Sequence, residues 1–225
     1  MSASTGLPAG LELARYIDHT LLSPGAARDE VAKLCAEARE WGFATVCVRS
    51  GHVALAASLL RGSSSRPIAV VDFPLGNGGT ASKVRETREV VEAGAAEVDM
   101  VVNLGALRAK DYALVEQEIR AVVEAARPAL VKVILETGAL TRDEKAIGCA
   151  LSKAAGAAFV KTSTGFGPGG ATVEDVALMR AIVGEDMGVK ASGGIRTAAA
   201  AARMIAAGAS RLGTSASVAI VSGAD

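Results

Sequence analysis

Aromatic side chains are scarce in this chain of 225 residues: Phe, Trp and Tyr make up 3% of it, although half of it is hydrophobic. A core without rings has to be assembled from Ala, Val, Leu and Ile, with 25 glycines marking turns and close approaches. A charge of preferred sign is missing too. Lys plus Arg and Asp plus Glu each number 24, so no basic excess suggests a nucleic-acid surface and no acidic block suggests a disordered tail. Cysteine is rare, and Cys35, Cys47 and Cys149 lie far apart without CxxC or Cys/His spacing. That excludes a disulfide framework and a zinc site and fits reduced thiols in a cytosol. No apolar run is long enough to span a membrane. Met1–Leu13 lacks the basic segment followed by an apolar one that marks a secretory signal, and the first dozen residues are expected to form a loose arm.

What is present is an alternation. Strands are expected at Arg15–Asp18, Ala44–Val48, Ile68–Asp72, Glu97–Val102, Leu130–Leu135, Ala158–Thr162, Val189–Ala191 and Ser210–Gly213. Helices are expected between them. The first runs from Gly25 to Glu40, with Val31, Leu34, Cys35 and Ala38 at helical spacing. The others are His52–Leu60, Thr80–Ala93, Tyr112–Ala126, Thr141–Ala155, Val173–Val183 and Thr197–Ala207. Thr80 or Ser82 is available to cap one of them, and Thr141 with Glu144 forms a capping box for another. Strict alternation implies parallel strands joined by crossover helices. Eight units imply a closed (β/α)8 TIM barrel occupying the whole chain, residues 1–225, as a single domain. An open doubly wound sheet would want GxGxxG after its first strand, and that motif is absent.

Side chains alternate along a strand, so parity sorts them between the helix-facing wall and the barrel interior. Val46, Val48, Val98, Met100, Val102, Val131, Val133, Leu135, Val160, Val189 and Ala191 fall outward. Thr45, Cys47, Glu97, Asp99, Val101, Asn103, Lys132, Ile134, Glu136, Lys161 and Lys190 then fall inward. A lysine is ordinarily a solvated surface residue, but Lys161 and Lys190 each interrupt a run that should be core, and parity puts Lys132 inside with them. Interior charges could simply neutralise one another. Buried ion pairs are a poor source of stability, and barrel enzymes keep their chemistry at the carboxyl ends of the strands.

A lysine amine is nucleophilic only when neutral, and its ordinary pKa leaves under about 0.1% neutral at pH 7. A low-dielectric pocket and a second ammonium both lower that pKa. Lys161 beside Lys190 would supply both. A neutral Lys161 can attack a carbonyl to give a carbinolamine and then an imine, which is an electron sink for making or breaking the adjacent carbon–carbon bond. Asp99 is placed to shuttle protons, and the chemistry requires no metal or other cofactor. Ser192–Arg196 and Gly213–Ser217 are glycine-containing turns late in the chain, where a barrel often binds phosphate.

Six runs, taken in order, resemble one family: Ile17–Leu22, Val46–Val48, Glu97–Val101, Lys132–Thr137, Val160–Phe166 and Val189–Arg196. From about Tyr16 to Ser215 the chain resembles the deoxyribose-phosphate aldolases. The resemblance implies a class I aldolase that reversibly cleaves 2-deoxy-D-ribose 5-phosphate to D-glyceraldehyde 3-phosphate and acetaldehyde, in a cytoplasmic homodimer that touches neither nucleic acid nor membrane. It implies that Lys161 forms the Schiff base, that Lys190 lowers its pKa and that Asp99 moves protons. Asp18, Thr20, Cys47, Lys132 and Thr162 would then line the pocket, with Gly165, Gly193, Gly194 and Ser215 near the phosphate. There is one departure. Many members end in a tail bearing a tyrosine, whereas the ten residues after Ser215 include no aromatic; this bears on turnover rather than on the imine. Two other functions use the same barrel: a phosphosugar isomerase with His19 or a carboxylate as base, and an inactive phosphosugar-binding protein.

Overall fold

The computed structural model describes residues 10–223, so the loose arm expected at the N-terminus lies largely outside the described residues. Every predicted strand forms: β1 (Ile17–Leu21), β2 (Thr45–Val48), β3 (Arg66–Val71), β4 (Glu97–Val101), β5 (Leu130–Ile134), β6 (Phe159–Lys161), β7 (Gly188–Ser192) and β8 (Arg211–Thr214). Each pairs in parallel with its sequence neighbours, and β8 returns to β1, closing the barrel. The helices around it are α1 (Leu11–Ala14), α2 (Arg28–Trp41), α3 (Val53–Leu59), α4 (Thr80–Glu92), α5 (Leu104–Arg108), α6 (Tyr112–Ala126), α7 (Arg142–Ala154), α8 (Val173–Val183), α9 (Ala198–Ala206) and α10 (Ser217–Ser222).

The departures from expectation have local causes. β1 starts two residues later than Arg15 and runs on to Leu21, because Arg15 caps the short α1 and Tyr16 lies in the turn after it. The first residue of α4 is Thr80 and its cap is Gly79 at φ +74°, without a side-chain cap, so neither Thr80 nor Ser82 serves. Asn103 does not point into the barrel; its side chain accepts from the Ala106 amide and starts the unexpected α5. The capping box at α7 forms as expected, with the Thr141 amide donating to Glu144 at 2.8 Å and the Glu144 amide donating back to the Thr141 hydroxyl at 3.3 Å.

Parity sorts the core correctly. All eleven outward residues belong to one apolar layer between barrel and helices. Completely burying a Val or Leu side chain contributes roughly 1.5–3 kcal/mol relative to exposure, so this layer supplies the driving force for closure. Inside the barrel a small apolar cluster of Leu22, Cys47, Ile68 and Val70 forms, and the inward Val101 and Ile134 are also completely buried. A separate buried charge cluster sits outside the barrel wall. Lys83 on α4, completely buried, donates to the Val101 carbonyl at 2.9 Å and to Glu118 on α6 at 2.5 Å.

Candidate active site

Register brings the charges together. Lys161 is the last residue of β6 and pairs with Lys190 in the middle of β7, so both side chains enter the barrel at one level. Asp99 enters from β4 beside Lys132 of β5. Both lysine nitrogens reach one oxygen: Lys161 Nζ lies 2.9 Å and Lys190 Nζ 2.7 Å from Asp99 Oδ2. Lys132 Nζ donates to the other oxygen, Oδ1, at 3.0 Å and also pairs with Glu97. Lys190 Nζ lies 2.6 Å from Asp18 Oδ2 as well. Crossing the barrel requires room for the Lys190 side chain. Gly213 on β8 leaves it, since a Cβ there would stand 2.9 Å from Lys190 Cε.

Water is almost wholly excluded from these groups: Asp18, Asp99, Lys132 and Lys190 are 0% exposed and Lys161 is 3% exposed. Burial disfavours every charge here, and neighbours decide which charges survive. For Asp99, burial is outweighed by Lys132, Lys161 and Lys190, which hold its carboxyl well below the usual carboxylate range. Asp18 is likewise held low, with Lys190, Lys132 and Arg211 outweighing burial. For Lys190, Asp18 and Asp99 overcome burial and raise its pKa above the usual lysine range. Lys161 goes the other way. Burial pushes its pKa down, Asp99 opposes, and the Lys190 ammonium adds to the lowering. The two paired lysines therefore differ in kind, one a fixed cation and the other an amine eased toward neutrality.

Above Lys161 lies a hollow of about 460 Å³, open at the carboxyl end of the barrel. Its wall includes Thr20, Lys161, Gly165, Gly193, Gly194 and Ser215, as anticipated, together with Leu21, Leu22 and Phe166. Asp18, Cys47, Lys132 and Thr162 were expected on this wall and are not on it. Asp18 and Lys132 lie beneath, engaged by the other charges. Cys47 packs in the inner apolar cluster, its thiol pushed up to about 11 by burial. Thr162 instead knits β6 to β7, donating to the Ser192 carbonyl at 2.9 Å and accepting from its amide at 3.0 Å. Glu136 has passed the end of β5 and sits at φ +56°, where its carboxylate takes the Thr164 hydroxyl. It thus braces the loop that carries Gly165 and Phe166.

His19 faces the helix layer, as its opposite parity to Asp18 requires. Its Nε2 lies 2.8 Å from Glu37 on α2 and its Nδ1 2.8 Å from the Ser217 hydroxyl at the start of α10. It cannot reach a substrate in the hollow, which removes it as an isomerase base. Among the described residues no group of three or more His, Cys, Asp and Glu side chains is placed to hold a metal ion, and no helix is long and apolar enough to cross a membrane.

Two features were not anticipated. Arg49 donates to the carbonyl of Leu22 at 2.8 Å and lies over the rings of Phe73 and Phe166, so it touches two residues of the hollow's wall, Leu22 and Phe166. Nothing in the local sequence pairs these residues. Arg211, at the start of β8, reaches the charged cluster from below, 2.7 Å from Asp18 Oδ1 and 3.3 Å from Glu97 Oε2. Parity along β8 would have found it, since Leu212 faces out and so Arg211 and Gly213 face in.

Comparison with known proteins agrees with this architecture. The family described as DeoC/LacD family aldolase matches residues 13–222. A deoxyribose-phosphate aldolase of Streptococcus sanguinis is 55% identical over 213 residues, covering 95% of this chain and 97% of the relative. One of Brevibacillus brevis is 54% identical over 214 residues, covering 95% and 97%. The tetrameric deoxyribose phosphate aldolase of Aeropyrum pernix superposes with a TM-score of 0.89 at 34% identity, covering 95% of this chain and 91% of that one.

Proposed function

The chain belongs to the DeoC/LacD aldolase family, and from that premise we propose that it cleaves 2-deoxy-D-ribose 5-phosphate reversibly to D-glyceraldehyde 3-phosphate and acetaldehyde through a Schiff base on Lys161. The observation that carries this reading is the asymmetry of the paired lysines: burial eases Lys161 toward the neutral amine while Lys190 keeps its proton. Neutral Lys161 Nζ attacks the aldehyde carbon of the open-chain sugar, and loss of water gives the protonated imine. A base removes the hydroxyl proton on the third carbon, and the bond between the second and third carbons breaks. Its electron pair passes to the imine as an enamine, and glyceraldehyde 3-phosphate leaves. Protonation of the enamine carbon and hydrolysis then return acetaldehyde and the free lysine.

Asp99 is the carboxylate within hydrogen-bond reach of both lysines, which suits a relay between Lys161 and Lys190. Its low pKa makes it a transient carrier rather than a resting acid. The substrate phosphate fits the backbone amides of the Gly193–Gly194 turn and of Ser215, which share the hollow with Lys161. The three free, buried cysteines suit a reducing cytoplasm, and the enzyme would serve deoxynucleoside breakdown as a homodimer. Sedimentation at working concentration tests that assembly against the tetramer of the Aeropyrum relative.

Borohydride trapping tests the chemistry. Incubation with acetaldehyde, reduction and digestion should leave a two-carbon adduct on Lys161; an unmodified Lys161 would refute the Schiff base and leave an inert binder or an isomerase. The phosphate site has its own test. Gly194 sits at φ +80° with open space where a Cβ would go, so Gly194→Ala strains the backbone by about 1–2 kcal/mol without a clash. KM for the phosphorylated sugar should rise about tenfold, while trapping of acetaldehyde, which has no phosphate, should be unchanged.

A further inference from the structure

The floor of the barrel, at the end opposite the hollow, is open. A second hollow of about 540 Å³ lies there, lined in part by Thr45, Arg66, Glu97 and Arg211. It holds no nucleophile, but it is where Arg211 enters the interior. The Arg211 side chain is 16% exposed, and its guanidinium lies 5.4 Å from the ring centre of Phe159. One of its nitrogens sits between Asp18 and Glu97, carboxylates from β1 and β4. Asp18 takes the Thr45 hydroxyl and Arg211 on Oδ1 and Lys190 on Oδ2. A continuous chain of contacts therefore runs from floor to hollow: Arg211, Asp18, Lys190, Asp99, Lys161.

We propose that Arg211 is a positioning residue for the reaction: it is the cation that completes the neutralisation of the interior carboxylates and so leaves Lys161 as the surplus amine. The count rests on the ion pairs. Three carboxylates, Asp18, Glu97 and Asp99, face four basic side chains, Lys132, Lys161, Lys190 and Arg211. Three cations balance three anions, so the fourth base carries an uncompensated charge in a water-excluded space if it is protonated, and such a charge is expensive. Arg211 cannot give up its proton. Lys190 and Lys132 each touch two carboxylates, whereas Lys161 touches only the shared Asp99 oxygen. The excess therefore falls on Lys161, in line with its lowered pKa. The remaining titratable neighbour of Lys161 is the Cys47 thiol of β2, which burial keeps neutral. β3 brings only Ile68 and Val70 to the interior cluster, and its Arg66 lies out in the floor hollow.

This inference rests on the Schiff-base reading, and its test separates the two. The rate of borohydride-trapped acetaldehyde adduct formation is measured against pH. In Arg211→Met one cation is lost, Lys161 can keep its proton, and the rising limb should move up by about one pH unit. In Glu97→Gln one anion is lost and the limb should move down by a similar amount. Combining the two changes restores the balance and should return the limb to the starting position, and Arg211→Lys should not move it. A merely structural Arg211 would lower the rate at every pH without displacing the limb, which would overturn the proposal. So would displacement of both single variants in one direction. If Arg211→Met does not fold, Glu97→Gln decides alone, since an unmoved or raised limb overturns the proposal. Absence of adduct in the unaltered protein would instead sink the aldolase reading itself.

Discussion

Lys161→Arg should cut cleavage of the sugar phosphate by at least about 10⁴-fold, the scale on which enzymes lose activity when a nucleophile is removed. The guanidinium does not deprotonate at any accessible pH, so no amine remains to attack the aldehyde carbon. No rise in pH should rescue the variant. The fold should survive, because the apolar layer between barrel and helices does not include position 161, and an arginine still reaches the Asp99 carboxylate. Arginine does add a permanent charge to a crowded interior, so Lys161→Met is the better companion for stability. It removes the amine without adding a charge, keeps a chain of similar length and should unfold in urea near the parent midpoint. Residual cleavage within about a hundredfold of the parent would disqualify Lys161, because a residue that only assisted proton transfer would cost about that much.

Lys190→Leu should lower kcat/KM at neutral pH by about 10²- to 10³-fold and shift the rising limb of the pH profile upward by a unit or more. The sign follows from the shared oxygen. Asp99 Oδ2 is held by Lys190 at 2.7 Å and by Lys161 at 2.9 Å. With Lys190 gone, that oxygen's attraction falls on Lys161 alone and the repulsion between the ammoniums disappears. Both changes favour protonated Lys161, so its pKa rises and less of it is neutral at pH 7. Raising the pH should therefore recover part of the activity, in contrast with Lys161→Arg. Asp18 loses its Oδ2 partner in the same variant, and breaking a buried pair destabilises by about 3–5 kcal/mol, which urea unfolding would register. A profile that fell in height without moving along the pH axis would show that Lys190 acts only after the imine has formed.

The barrel could be read from the sequence because its strands are marked twice, once by apolar runs and once by strict alternation within them. Lys161 and Lys190 stand out for the same reason, each breaking a buried run at an inward position, and parity adds Lys132. Elements that the sequence does not signal lack such a mark. α5 is five residues long and depends on one side-chain contact, Asn103 with the Ala106 amide. Site residues beyond the strand ends are equally hard to place. Glu136 leaves strand geometry at φ +56°, so parity no longer governs it. Family resemblance puts Asp18, Cys47, Lys132 and Thr162 on the pocket wall, and parity cannot refine that, because it distinguishes inside from outside but not top from floor. Asp18, Lys132 and Cys47 are interior, yet they lie under the hollow rather than around it. Height along the barrel axis follows from the strand register, which no single strand contains.

The division of the apolar residues into a helix-facing layer and a tiny inner group has a consequence for how such a protein can change over generations. The outer layer holds the scaffold together, and of its buried members Ile195 reaches the wall of the hollow. Leu22, of the inner group, lines the hollow and packs with Ile68 and Val70 in the inner cluster. Exchanges among them can reshape what the mouth accepts while the framework tolerates the experiment. New preferences among aldehydes should therefore arise from a handful of inner positions and rim loops, leaving the architecture unchanged.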